Sequence, residues 1–131
     1  MFRGNFEHKI DDKGRVSVPA EFRDILQREY GSEAVVMTIY DSCIEVFPFE
    51  EWRGIEEKMR GLPFFRHESR RFMRVLLSWA TNTYIDNHGR LQIPLRLREL
   101  VHLEREVMFV GMLKTFEIWN KELWFEELAK G

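Results

Sequence analysis

Apolar and polar residues alternate along "NFEHKI", residues 5–10, with Phe6, His8 and Ile10 on one side and Glu7 and Lys9 on the other. A period of two belongs to a strand with one buried face. A turn, "DDKG", follows, and "RVSVP" alternates again through Val16 and Val18. The period then lengthens. Phe22, Ile25 and Leu26 form the apolar stripe of a helix opened by Pro19, since proline at a first helical position loses no needed hydrogen bond. Next, "VVMTIYDSCIEVFPFEEW" reads as strand, turn, strand and the start of a helix carrying Trp52, Ile55 and Met59. Gly61 and Pro63 break that helix. Another runs from about Phe65 to Ala80, with Phe65, Phe72, Leu76 and Ala80 near one face and Arg66, Arg70 and Arg74 recurring at i+4 on another.

The same order of elements then returns. "TNTYI" precedes the turn "DNHG", "RLQIP" alternates through Leu91 and Ile93, and Pro94 opens a helix with Leu97, Leu100 and Val101 inward. "VMFVGMLKTFEIWNKELW" repeats the second hairpin, and Asn120 is a suitable N-cap for the last helix. Identities recur at an offset of 75: Ile10/Ile85, Asp11/Asp86, Gly14/Gly89, Arg15/Arg90, Pro19/Pro94 and Arg23/Arg98. At the hairpin the offset becomes 72, matching Ile44-Glu45-Val46-Phe47 to Phe116-Glu117-Ile118-Trp119. The chain is therefore a duplicated α+β unit, with repeats at 1–62 and 81–131 joined by a structured helix at 63–80. Either repeat alone buries too little surface to be secure. Two repeats interlocked about a pseudo-twofold axis can share one core.

Composition narrows the class. The 131 residues are 44% hydrophobic and 14% aromatic, enough for a packed interior. Cys43 is the single cysteine, so no intrachain disulfide is possible, and a thiol in a half-buried strand suits a reducing cytosol. Arg3, Glu7 and Lys9 interrupt any apolar leader, and no apolar run approaches the roughly 20 residues that span a bilayer. A soluble, cytoplasmic protein is expected, without a membrane partner.

The net charge of −2 is unusual for a nucleic-acid binder, but the charge is uneven. Residues 1–63 carry 9 basic and 13 acidic groups, residues 64–79 carry 4 and 1, and residues 80–131 carry 7 and 8. Arginine outnumbers lysine 14 to 6, favouring planar, bidentate contacts with phosphate, carboxylate or guanine.

The candidate chemistry lies in the duplicated turns. Arg15 and Arg90 can reach DNA phosphates or guanine edges with their forked donors. Alternatively, each pairs with Asp11 or Asp86 and steadies a hairpin, a contact worth little when exposed. The aspartates suit orienting the arginines or closing the turn, because a carboxylate facing phosphate would repel it. Gly14 and Gly89 supply the backbone freedom of a tight reversal. Lys13 is a phosphate contact or a solvated turn residue. Arg66, Arg70, Arg71 and Arg74 read as a solvated or subunit-facing surface with Glu68 and nearby acids as partners, rather than a second DNA stripe.

Trp52, Trp79, Trp119 and Trp124 fall at core-like positions. His8, His67, His88 and His102 lack ligand spacing, so no metal is expected, and Cys43 has no evident activating base. A paired-carboxylate hydrolase is the enzymatic rival, but Asp12-Lys13 and Asn87-His88 follow the aspartates where such sites carry Ser or Thr and then Gly.

"MFRGNFEHKIDDKGRVSVPAEFR" and "DNHGRLQIP" together resemble the MraZ family of bacterial transcriptional regulators, and the resemblance spans the chain. It implies tandem domains similar to the AbrB and SpoVT group, with swapped hairpins interlocked in a small β-barrel and helices on its flanks. It implies a ring-shaped homo-oligomer that binds short direct repeats in double-stranded promoter DNA of the division and cell-wall gene cluster, as a repressor in the nucleoid. No cofactor and no small-molecule substrate is implied. Carried over by motif, Asp11 with Arg15 and Asp86 with Arg90 form the surface associated with that binding. Asn87 and His88 replace Asp12 and Lys13, making the second turn less basic. An antitoxin-like protein-binding module is the other role compatible with this fold.

Overall fold

The computed structural model describes residues 1–131. The alternating stretches form eight strands: β1 Asn5–Lys9, β2 Arg15–Ser17, β3 Ala34–Tyr40, β4 Cys43–Pro48, β5 Thr81–Tyr84, β6 Arg90–Gln92, β7 Glu106–Gly111 and β8 Phe116–Asn120. The helices are α1 Ala20–Ile25 (continued by a π-helical turn, Leu26–Tyr30), α2 Phe49–Arg60, α3 His67–Leu77, α4 Leu95–Leu100 and α5 Lys121–Ala129. No helix is long and apolar enough to cross a membrane.

Six strands form one antiparallel sheet in the order β1-β7-β8-β4-β3-β5, while β2 and β6 form a separate ribbon. The first strand of each repeat pairs with the hairpin of the other. Phe6 faces Phe109 across β1–β7, and Val35 faces Thr83 across β3–β5. Exchanging the repeats reverses the sheet order and leaves it unchanged. The equivalent residues Glu45 and Glu117 face each other across β4–β8, and Val16 faces Leu91 across the ribbon, so the pseudo-twofold axis crosses both layers. Strands β1 and β5 remain the sheet edges, with no pairing that closes a ring.

The main core lies between sheet and ribbon. It joins Val16, Val18, Leu91 and Ile93 of the ribbon segments to Val35, Ile44, Phe109 and Ile118 of the sheet, with Phe22 and Leu97 from α1 and α4. The opposite sheet face carries two smaller clusters: Val36, Phe47, Trp52, Met59 and Leu76 beneath α2 and α3, and Cys43, Met108, Val110 and Trp119 beside α5. Cys43 is fully buried, deeper than the strand pattern predicts, and burial is the first reason its thiol is held well above the usual range.

Several local expectations need correction. Pro19 and Pro94 are N-caps rather than first helical residues; their ψ values of 136° and 142° are extended, so the helices begin one residue later. Leu100 is exposed, because α4 ends there and the chain leaves helical geometry at Val101, φ −110°. Helix α3 is shorter at both ends than expected. Phe65 precedes it and is 91% exposed, Phe72 is also exposed, and Leu76 alone of the expected face is fully inward. Asn120 does cap α5, with Oδ1 accepting the Leu123 N–H at 3.0 Å.

Between the two smaller clusters, Glu45 is 7% exposed and accepts the Thr115 hydroxyl. Burial, opposed by that hydroxyl and reinforced by the Glu117 charge, pushes its carboxyl up to about 7 from an ordinary 4.5. The folded protein therefore keeps a proton that the unfolded chain loses between these values, and the resulting stability is lost as pH rises from 4.5 to about 7. Glu45→Gln carries no charge at any pH. Urea titrations should find the variant close to wild type at pH 4 and more stable at pH 8, by on the order of 1–3 kcal/mol. A difference independent of pH would show that Glu45 ionises freely in the folded chain.

Candidate nucleic-acid interface

Each duplicated turn is wound around its own aspartate. Asp11 Oδ1 accepts the backbone N–H groups of Lys13 and Arg15, both at 2.9 Å, and Oδ2 accepts Arg15 Nε at 2.8 Å. Asp86 repeats the arrangement, taking His88 N–H at 2.8 Å, Arg90 N–H at 2.9 Å and Arg90 Nε at 3.2 Å. Backbone bonds close both turns, from Gly14 N–H to Asp11 O at 3.0 Å and from Gly89 N–H to Asp86 O at 2.9 Å. The Arg15 backbone N–H is the leading reason that the Asp11 carboxyl lies below its ordinary range, against a desolvation cost; the Arg90 backbone N–H does the same for Asp86. Depressed carboxyls stabilise the folded turns above the ordinary carboxylate range, and this contribution is lost as pH falls through their folded values.

The ribbon sets the two motifs side by side. Arg15 is opposite Gln92 and Ser17 opposite Arg90, while Val16 and Leu91 are buried on the other face. Arg15 and Arg90 are thus diagonal neighbours on one outward face, about 7–8 Å apart at that register. Their side chains are 31% and 30% exposed, and the Asp contact engages Nε, leaving the terminal guanidinium nitrogens outside that pairing. Lys13 is exposed at the turn, and its carbonyl accepts Gln92 Nε2 at 2.5 Å. Asn87 and His88 occupy the corresponding exposed positions.

Two further arginines belong to this assembly, although their roles were not read from the sequence. Gly14 and Gly89 have φ of +81° and +76°, and each also lies against a guanidinium from the other repeat. A Cβ at Gly14 would stand 2.7 Å from Arg98 Nη2. At Gly89 it would overlap the Arg23 guanidinium, with Nε 2.9 Å away. The backbone also crosses between repeats, from Val18 N–H to Gly89 O and from Ile93 N–H to Gly14 O, both at 2.9 Å. The repeated Arg23/Arg98 identity was the available signal, but sequence order does not reveal which turn each helix covers.

The α3 arginines lie elsewhere. None of Arg66, Arg70, Arg71 and Arg74 reaches a carboxylate at ion-pair distance, contrary to the expected pairing with Glu68 and its neighbours. Arg70 instead lies 4.9 Å from the centre of the Phe64 ring. Asp11 and Asp86 are not bonded to each other, and each uses its carboxylate oxygens within its own turn.

Comparison with known proteins follows this duplicated geometry. A family model described as "MraZ protein, putative antitoxin-like" matches residues 1–75 and again 76–130. The chain is 42% identical over 130 residues to the transcriptional regulator MraZ of Caldanaerobacter subterraneus subsp. tengcongensis, covering 99% of this chain and 87% of that protein. It is 41% identical over 140 residues to the transcriptional regulator MraZ of Desulforamulus reducens, with 99% and 96% covered. The transcriptional regulator MraZ of Carboxydothermus hydrogenoformans is 42% identical over 124 residues, with 95% and 84% covered.

Proposed function

The chain belongs to the MraZ family, and on that premise we propose that it is a transcriptional regulator that binds DNA through the β2–β6 ribbon. Arg15, Lys13 and Arg90 are the contacting residues. The supporting observation is the placement of Arg15 and Arg90 on one outward face while their aspartates are engaged by turn N–H groups. Terminal guanidinium nitrogens that the aspartates leave unengaged suit phosphate oxygens or guanine O6 and N7.

In this reading the repeats, 1–62 and 81–131 with the connector 63–80, form an AbrB-like swapped-hairpin unit. Several copies assemble into a ring and engage short direct repeats in the promoter of the division and cell-wall gene cluster, acting as a repressor at the nucleoid. Assembly accounts for binding by a chain of net charge −2, because only one rim needs to be positive. Linked contacts can raise overall affinity by roughly 10²–10⁴ over a single subunit. No cofactor or small-molecule substrate has a part.

The test is a gel shift with the protein's own upstream promoter against random competitor, with light scattering in the same buffer. The reading requires selective retention of the promoter by an oligomer. Equal competition by random DNA, or a protein that stays monomeric at micromolar concentration, rejects it. The family description's "antitoxin-like" favours protein binding as the second reading, for which exposed Phe64 and Phe65 offer apolar surface. Failure to shift any DNA would favour that role.

A further inference from the structure

We infer that Arg98 and Arg23 are positioning residues that act across the repeats: Arg98 braces the turn presenting Arg15, and Arg23 braces the turn presenting Arg90. This rests on the reading of the ribbon as the DNA surface and assigns the residues that hold its two arginines in place. The Arg98 guanidinium covers Gly14 so closely that an added methyl carbon would be 2.7–2.9 Å from three of its atoms. Its Nε donates to Ile93 O at 3.0 Å, while Ile93 N–H donates to Gly14 O at 2.9 Å. Helix α4, the end of β6 and the first turn are thereby tied into one unit. Gln92 adds its bond to Lys13 O from the same strand end.

The second brace has the same placement but weaker anchoring. Arg23 covers Gly89, and Val18 N–H donates to Gly89 O at 2.9 Å. Its buried Nε, however, has no hydrogen-bond partner, and the nearest carboxylate, Glu33, is 4.0 Å away. The first turn is therefore the more firmly held. Because the brace comes from the other repeat, truncating a helix residue in one repeat weakens the motif of the other.

Residues in direct contact couple, whereas distant independent sites are additive. In the assembled full-length protein, Arg98→Ala should lower promoter affinity by about 10-fold in the wild-type and Arg90→Ala backgrounds, but less than about 2-fold once Arg15 is alanine. Arg23→Ala should show the mirrored pattern with a smaller loss. Arg98→Lys keeps the charge without the planar fork and should not restore affinity. Two-dimensional amide NMR without DNA supplies an independent readout: Arg98→Ala should move the Gly14 and Arg15 signals and leave Gly89 and Arg90 in place. Equal losses in all backgrounds, or rescue by lysine, would make Arg98 a separate charge contact and overturn the brace. If Arg15→Ala leaves DNA affinity unchanged, the DNA reading fails, and the amide signals alone decide whether the brace exists.

Discussion

Phe22→Ala should cost about 3–5 kcal/mol of stability, the range for deleting a large aromatic from a packed core. Phe22 is fully buried, and its ring centre lies 5.3 Å from those of Phe2 and Phe6, 5.0 Å from Phe116 and 6.5 Å from Phe109. Phe2, Phe6 and Phe22 come from the first repeat, while Phe109 and Phe116 come from the second. The cavity would therefore open where the repeats join, and neither can close over it independently. Against a typical total of about 5–15 kcal/mol, this loss leaves a marginal protein. Denaturant midpoints at fixed protein concentration should fall accordingly, and thermal midpoints by roughly 10–20 °C. Phe125→Ala, at a 51%-exposed position, is the control and should change stability by about 0.5 kcal/mol or less. A loss below about 1 kcal/mol at Phe22 would mean that the repeats do not depend on a common core.

Arg15→Ala should weaken promoter binding without unfolding the protein, since the side chain is on the outer face of the ribbon. If the guanidinium reads guanine, each lost contact costs about 1–3 kcal/mol and the loss is confined to the promoter site. If it meets phosphate, binding to all sequences weakens alike and the salt slope falls by about 1 for each subunit engaged. Arg90→Ala should follow the same pattern more mildly, because Asn87 and His88 replace Asp12 and Lys13 beside it. Specific and random DNA affinities measured across a salt series separate these cases, with light scattering to show that the variants still assemble. Unchanged affinity in a correctly assembled Arg15→Ala protein would restrict the motif to a structural role. The search for the DNA surface would then move to the α3 arginines.

The duplicated strand–turn–strand–helix pattern was legible because both repeats keep their apolar spacing and their special residues at one offset. Gly14 and Gly89 stand at positive φ, and Val16 and Leu91 point inward, as the alternation requires. The α+β class and the sharing of a core followed from the same pattern. What periodicity cannot supply is the end of an element: Phe65 continues the apolar rhythm of α3 but lies before its first turn. Nor does it tell which chain segment covers a turn. The glycines were legible as conformational requirements, but their second constraint, the guanidiniums over them, exists only once α1 and α4 have crossed between repeats.

That crossing also fixes an order of events for a chain emerging from the ribosome. Lys9 must wait for Glu106, and Asn5 for Val110, before β1 has any neighbour in the sheet. The β3–β4 hairpin can form early from adjacent residues, but β3 acquires its second neighbour only when β5 is available. Such long sequence separations place a protein among slow folders, on the millisecond to second scale, rather than among helical bundles. Until translation nears its end, β1 is a strand without a partner, open to a neighbouring nascent chain carrying the same β7. Polysomes translating this message should therefore be the setting in which intermolecular exchange competes most strongly with correct folding.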